Sequence, residues 1–169
     1  MRLLFTMDTK DYDPEGIPFV RPSVRAIILK DGKAAMVHSL KYDYYKFPGG
    51  GMERGESQIA SLIRETREEA GLTVIPESIR EYGYVHRVQK GKNEAVFIQD
   101  NYYYLCQTEN TVLEQRLDAY EAEALFTLEY ADPRSVIAVN RTHDHAGTDQ
   151  IMLEREALVL ERLMQEGLL

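Results

Sequence analysis

The chain has 169 residues, 44% of them hydrophobic and 28% charged, which suits a soluble globular protein with enough length for one sizeable core. Its 28 acidic residues outnumber the 20 Lys and Arg, for a net charge of -8. That balance argues against a protein living on the phosphate backbone of nucleic acid, which needs clustered Lys and Arg, but not against a small phosphorylated substrate whose charge a metal ion can meet.

Taken in order, Leu3 to Phe5 can form a short strand. Tyr12 to Pro22 reads as a loop, broken by Pro14, Gly16, Pro18 and Pro22. Val24 to Leu29 and Lys33 to Ser39 read as strands joined at a tight Asp31-Gly32 turn. Tyr44 to Phe47 is a further extended piece, stopped by Pro48-Gly49-Gly50-Gly51. Ser57 to Ala70 has the clearest helical spacing, with Ile59, Leu62, Ile63, Thr66 and Ala70 on one stripe, Ser57 as N-cap and Gly71 as the stop. Ile79 to Val88 and Val96 to Gln107 are long β-type runs, and Leu125 to Ala131 is another strand candidate. Pro133 can open a helix to Asn140, and Asp149 to Gln165 reads as a C-terminal helix. Strands, a helix, more strands and then helices predict an α+β fold with a mixed sheet, in a single domain over residues 1–169.

The lone cysteine, Cys106, excludes an internal disulfide. No stretch has the length of a membrane span, and Met1 to Asp13 turns acidic without an apolar run, so no signal peptide is expected and a cytoplasmic location is.

Chemistry concentrates between Gly50 and Leu72. Glu65, Glu68 and Glu69 stand at i, i+3 and i+4, so they share a helix face, read as roughly opposite the apolar stripe. Three like charges held together are readily explained by a divalent cation among them, and hard carboxylate oxygens suit Mg²⁺ or Mn²⁺. Gly49, Gly50 and Gly51 allow close backbone approach, and a carbonyl there is a candidate ligand. Arg64 is placed to orient Glu56 or a neighbouring carboxylate by bidentate pairing, with direct phosphate contact as the alternative. Any two of these residues alone would read as a solvated helix surface.

Gly50, five residues, Glu56, seven residues, Arg64-Glu65, then Glu68-Glu69, Gly71 and Leu72 resemble the Nudix box. The one departure is Thr66 at an aliphatic position, whose methyl can still pack. Phe47 to Gly51 is similar to that family's usual lead-in. The resemblance implies an α-β-α sandwich with a mixed sheet and Mg²⁺-dependent hydrolysis of a nucleoside diphosphate linked to a group X. It implies metal ligation by Glu65, Glu68, Glu69 and the Gly50 carbonyl, and structural support of the site by Glu56 and Arg64 beside Gly49 and Gly51. A water attacking phosphorus needs a proton acceptor. Glu65 or Glu68 can serve, and among Asp118, Glu121 and Glu123 outside the box Glu121 is the choice.

Weaker signals surround this core. Arg87, beside His86, is a candidate phosphate or base contact, against a solvated strand face. Tyr103, in the Tyr102 to Tyr104 run, is a candidate base-stacking ring, although core or sheet packing is the readier account. His143-Asp144-His145 has metal-like residue types, yet a polar loop explains it better. The C-terminal helix carries more apolar positions than a narrow stripe needs, for core packing or a homodimer contact. Two rivals to a nucleotide hydrolase remain: a sensor binding a nucleotide-like metabolite without turnover, and an RNA 5′-end pyrophosphohydrolase, against which the net charge counts.

Overall fold

The computed structural model describes all of residues 1–169. Strand β1 (Leu3–Asp8) runs parallel to β8 (Arg80–Gln89), which is antiparallel to β9 (Val96–Leu105). The far edge of β9 carries two parallel partners, β2 (Pro18–Val20) and β3 (Ser23–Ile27), so this sheet is mixed. A second, antiparallel sheet is centred on β5 (Lys33–Ser39), with β11 (Phe126–Ala131) on one edge and β4 (Leu29–Lys30) and β6 (Tyr44–Lys46) on the other. A small antiparallel pair joins β7 (Leu72–Val74) to β10 (Thr108–Val112).

Alternation along the strands divides the core in two. Val24 and Ala26 of β3, Ala35 of β5 and Tyr104 of β9 pack with Leu62 and Ala70 of helix α1 (Gln58–Ala70). Their neighbours Ile27, Met36 and Tyr103 point to the opposite face. There they meet Val136 of α3 (Pro133–Thr142) and Val159, Leu160 and Leu163 of α4 (Gln150–Gln165). This is the expected α-β-α sandwich, and it explains why β3 is buried along its whole length. The apolar residues Leu153, Val159, Leu160 and Leu163 of α4 are covered by the chain's own core.

Helix α1 begins and ends where its sequence says. Ser57 Oγ accepts the Ala60 N–H at 3.2 Å, and Gly71 takes the left-handed φ of 68° that closes the helix. Its buried side differs from the expected stripe. Ile59 is 39% exposed, whereas Glu69, seven residues after Leu62 and so on the same side, is buried at 1%. The helix therefore does not present all three carboxylates to solvent. Several short elements escaped the sequence reading, among them β2, inside the supposed loop, β7, the 3₁₀ turn Pro76–Ser78, β10, and the helix α2 (Ala119–Glu123).

Candidate active site

The Pro48–Gly51 segment runs alongside β3, with Ala26 N–H donating to the Pro48 carbonyl at 2.8 Å and Val24 N–H to the Gly50 carbonyl at 3.0 Å. That closeness dictates glycine. At Gly49, with φ 137°, a Cβ would lie 2.1 Å from the Val24 carbonyl oxygen. At Gly50 a Cβ would meet Glu65 Oε2 at 2.2 Å, so the Glu65 carboxylate lies directly against this backbone. The Gly50 carbonyl keeps a second lone pair beside the Val24 hydrogen bond.

Arg64 ties the acidic groups together. It grips Glu56 with two parallel bonds of 2.9 and 2.8 Å, and reaches Glu65 at 2.7 Å and Glu68 at 3.1 Å. The pairing holds the Glu56 carboxyl well below the ordinary range, at about 2. Burial pushes the Glu65 carboxyl up, against the pull of Arg64. Glu69 is buried, paired with the Lys46 ammonium, and accepts the Gly49 N–H at 2.9 Å.

A second chain segment delivers Glu121. The stretch before α2 docks on the end of α1, through Leu113 N–H to the Gly71 carbonyl and Arg116 N–H to the Glu68 carbonyl, each at 2.8 Å. Within α2, Glu121 accepts the Asp118 N–H at 2.8 Å and the Tyr120 hydroxyl at 2.9 Å. Burial, followed by the neighbouring Glu69 carboxyl, raises the Glu121 pKa. Of Asp118, Glu121 and Glu123, only Glu121 reaches the box. Glu123 points outward to Lys41 at 2.7 Å, and Asp118 is exposed at the start of α2.

No three His, Cys, Asp or Glu side chains stand at metal-binding spacing in this conformation. The donors nevertheless fit a hard divalent cation. Their oxygens are carboxylate and carbonyl, two of the carboxylates are largely buried, and the positive charge that burial demands is supplied by Lys46 at Glu69 and Arg64 at Glu65 and Glu68. A cation binding here would draw Glu65, Glu68 and Glu69 together and take over part of the charge balance that Arg64 and Lys46 supply.

Other expectations are placed elsewhere. Arg87 is only 3% exposed, bonded to Gln89 and to Asp149 at the start of α4. Its guanidinium joins sheet to helix and is not presented to a ligand. Tyr103 is fully buried, edge-on to Phe47 with centroids 5.7 Å apart, because α4 covers that face of β9. His143 pairs with Asp43, while His145 is buried against the Tyr42 and Val139 carbonyls, so the two do not share a ligand.

Three cations that the motif reading passed over border the glycine segment: Arg21, Arg25 and Lys46. Arg25 could have been noticed, as a charge in the middle of an apolar strand run. Lys46 and Arg21 carry no such signal.

Comparison with known proteins bears on the family and the fold. The NUDIX domain family model matches residues 20–146. The RNA pyrophosphohydrolase of Xanthomonas campestris pv. campestris (strain B100) is 35% identical over 72 residues, covering 42% of this chain and 33% of that protein. The match thus spans about a third of the length of the curated relatives. Among solved structures, a NUDIX hydrolase from Nitrosomonas europaea superposes with a TM-score of 0.63 at 18% identity, covering 88% of this chain and 90% of the other. The MutT protein from Bacillus halodurans gives 0.57 at 21% identity, covering 79% and 80%. At such identities the likeness is one of fold.

Proposed function

Since this chain belongs to the NUDIX domain family, whose hydrolases generally use divalent metal ions, we propose that it hydrolyses a diphosphate linkage in a nucleoside diphosphate joined to a group X. The observation that carries this reading is the meeting of the box acids with Glu121, a carboxyl delivered from a separate helix. A pure binding protein has no need of that extra acid.

In this reading Glu65, Glu68, Glu69 and the Gly50 carbonyl hold Mg²⁺ or Mn²⁺. The ion supplies charge neutralisation on the phosphate oxygens and acidifies water. The rest falls to the protein. Arg64 and Glu56 fix the helix against the glycine segment. Water attacks one phosphorus, the anhydride P–O bond breaks, the leaving phosphate departs with that electron pair, and Glu121 takes the water proton. A raised carboxyl pKa makes Glu121 a better acceptor than an exposed acid. Residues 1–169 act as one domain, and the location is cytoplasmic.

The test is phosphate and monophosphate release from a panel of nucleoside diphosphate compounds with Mg²⁺, native against Glu68→Gln. Turnover that falls by several orders of magnitude in the variant supports the proposal. Thermal stabilisation by a compound that neither protein cleaves would put a metabolite sensor in its place. A second reading, RNA pyrophosphohydrolysis, draws on the name of the Xanthomonas relative and is opposed by the net charge of -8.

A further inference from the structure

The glycine segment is held from the C-terminal helix as well as from the helix that carries the acids. Phe47 N–H donates to Glu156 Oε2 of α4 at 3.1 Å. Gly49 N–H donates to Glu69 of α1 at 2.9 Å, and Pro48 between them has no N–H to offer. Two buried carboxylates, Glu156 at 0% and Glu69 at 1% exposure, thus take the leading N–H groups of the segment from opposite helical layers. Each has its own buried cation. Lys46 serves Glu69, and Arg155 serves Glu156, with its Nε 3.0 Å from Oε1. Arg155 Nη1 also donates to Asn101 Oδ1 at 2.5 Å, and that oxygen accepts the Ser23 hydroxyl at 2.7 Å. Ser23 in turn forms an antiparallel bridge with Gly51. One buried network therefore reaches both ends of the stretch from Phe47 to Gly51.

Stability does not call for this pair. Neighbouring positions on a helix normally diverge, yet Arg155 and Glu156 are both buried, in a helix whose other buried residues are Leu, Val and Ala. A buried ion pair replaced by apolar side chains of similar volume often leaves a protein as stable or more so, so burial gives no reason to keep it. What the pair supplies is an acceptor fixed in place. Arg155 occupies Oε1 of Glu156, and Oε2 meets Phe47 N–H. Only Pro48 and Gly49 separate Phe47 from Gly50, whose backbone lies directly against the Glu65 carboxylate. A shift at Phe47 has little chain in which to be absorbed before it reaches the Gly50 carbonyl.

We propose that Glu156, oriented by Arg155, is a positioning residue for the acidic site: by fixing Phe47 N–H it sets where the Gly50 carbonyl and the Gly49 N–H stand relative to Glu65 and Glu69. The proposal rests on the hydrolase reading for the use of that site. It extends the site's support to α4, a helix that carries none of the box residues. Groups that orient metal ligands without touching the metal typically change affinity or activity by about 10- to 100-fold.

Paired substitutions avoid leaving either charge alone. Arg155→Met with Glu156→Gln removes both charges and keeps a side-chain oxygen for Phe47 N–H. Arg155→Met with Glu156→Met removes that oxygen too, and Arg155→Met with Glu156→Leu does the same with a different packing. Leu163→Ala, in the core face of the same helix, is the control for lost stability alone. Mn²⁺ affinity is measured by electron paramagnetic resonance without substrate, then kcat and KM with Mg²⁺, each well below the variant's melting temperature. Loss of the oxygen is expected to weaken Mn²⁺ binding about tenfold or more and to lower kcat about 10- to 100-fold with KM little changed, while the Gln variant and Leu163→Ala stay within about threefold of native. Native Mn²⁺ affinity in a variant without the oxygen, an equal loss in the Gln variant, or failure of both oxygen-free variants to fold overturns the proposal. The hydrolase reading fails separately. Mn²⁺ binding with the expected order of variants, but no turnover of any nucleoside diphosphate compound, keeps the positioning role and removes the hydrolase. Native turnover with no difference between the Gln and Met variants keeps the hydrolase and removes the positioning role. A native protein that neither binds Mn²⁺ nor turns over any compound loses both.

Discussion

Arg64 holds Glu56 through two parallel hydrogen bonds, Nε to Oε1 at 2.9 Å and Nη2 to Oε2 at 2.8 Å, and with them fixes helix α1 to the loop that precedes it. Glu56 consequently has a folded pKa of about 2, below its unfolded value. A depressed carboxyl contributes stability that is present above the unfolded pKa and lost as pH falls through the folded one. Melting temperature should therefore decline between about pH 4.5 and 2. Glu56→Gln should lower it at neutral pH and flatten that decline. Arg64→Lys cannot reproduce the fork, so kcat is expected to drop about 10- to 100-fold with KM little changed.

Neighbouring glycines should respond differently to alanine. At Gly50 the intruding methyl meets the Glu65 carboxylate, a side chain that can move. Gly50→Ala should fold, melt near the native temperature, and lose both activity and the stabilisation that Mg²⁺ gives the native protein, about 2.7 kcal/mol at a hundredfold excess over Kd. At Gly49 the methyl meets the Val24 carbonyl, which is backbone, and φ is 137° besides. Gly49→Ala should be destabilised outright. Equal melting temperatures for the two variants would contradict the assigned packing.

The Lys46–Glu69 pair is buried on both sides, with side-chain exposures of 7% and 1%. Removing one member leaves the other charged and unpaired. Lys46→Met is expected to cost about 3–5 kcal/mol in metal-free buffer. Because a divalent cation can replace the lost charge at Glu69, saturating Mg²⁺ should recover part of that loss. Denaturant unfolding with and without Mg²⁺ measures both numbers, and no recovery would argue that Glu69 is not a ligand.

The box, helix α1 with its caps, and the long strands were legible because each depends on local spacing. What was not legible depends on who lies opposite. Strand β2 has three residues and includes Pro18, so only its pairing with β9 makes it a strand. Glu69 could be placed on the acidic face or the buried one, since helical angles put it near both, and Lys46 decides between them. Along β8 and β9 the alternation says that Arg87 and Tyr103 take sides, but only the position of α4 says which side is covered.

That covering makes Arg87 a structural residue in the prediction that follows. Its bonds to Gln89 and Asp149 join β8 to the start of α4. Arg87→Ala should lose about 1.5–3 kcal/mol, the range for hydrogen bonds to charged groups, with KM for the best substrate within about twofold of native. A large rise in KM at unchanged stability would restore a direct substrate contact.

Glu121 should separate rate from stability. As proton acceptor its replacement by Gln should lower kcat by about 10²- to 10⁴-fold. Stability should move the other way. Burial first and Glu69 second raise the folded pKa of Glu121 above its unfolded one. A raised carboxyl contributes fully below the unfolded pKa, and that contribution is lost as pH rises through the folded value, so above that value the ionised side chain is a net cost. Gln retains an oxygen to accept the Asp118 N–H that starts α2, and it removes the charge facing Glu69. Glu121→Gln should thus melt slightly above the native protein at pH 8, and the gap should close at pH 4. Carrying a destabilising charge at this position makes sense only if the charge has a task, so a variant with native kcat would leave the burial of Glu121 without a catalytic explanation.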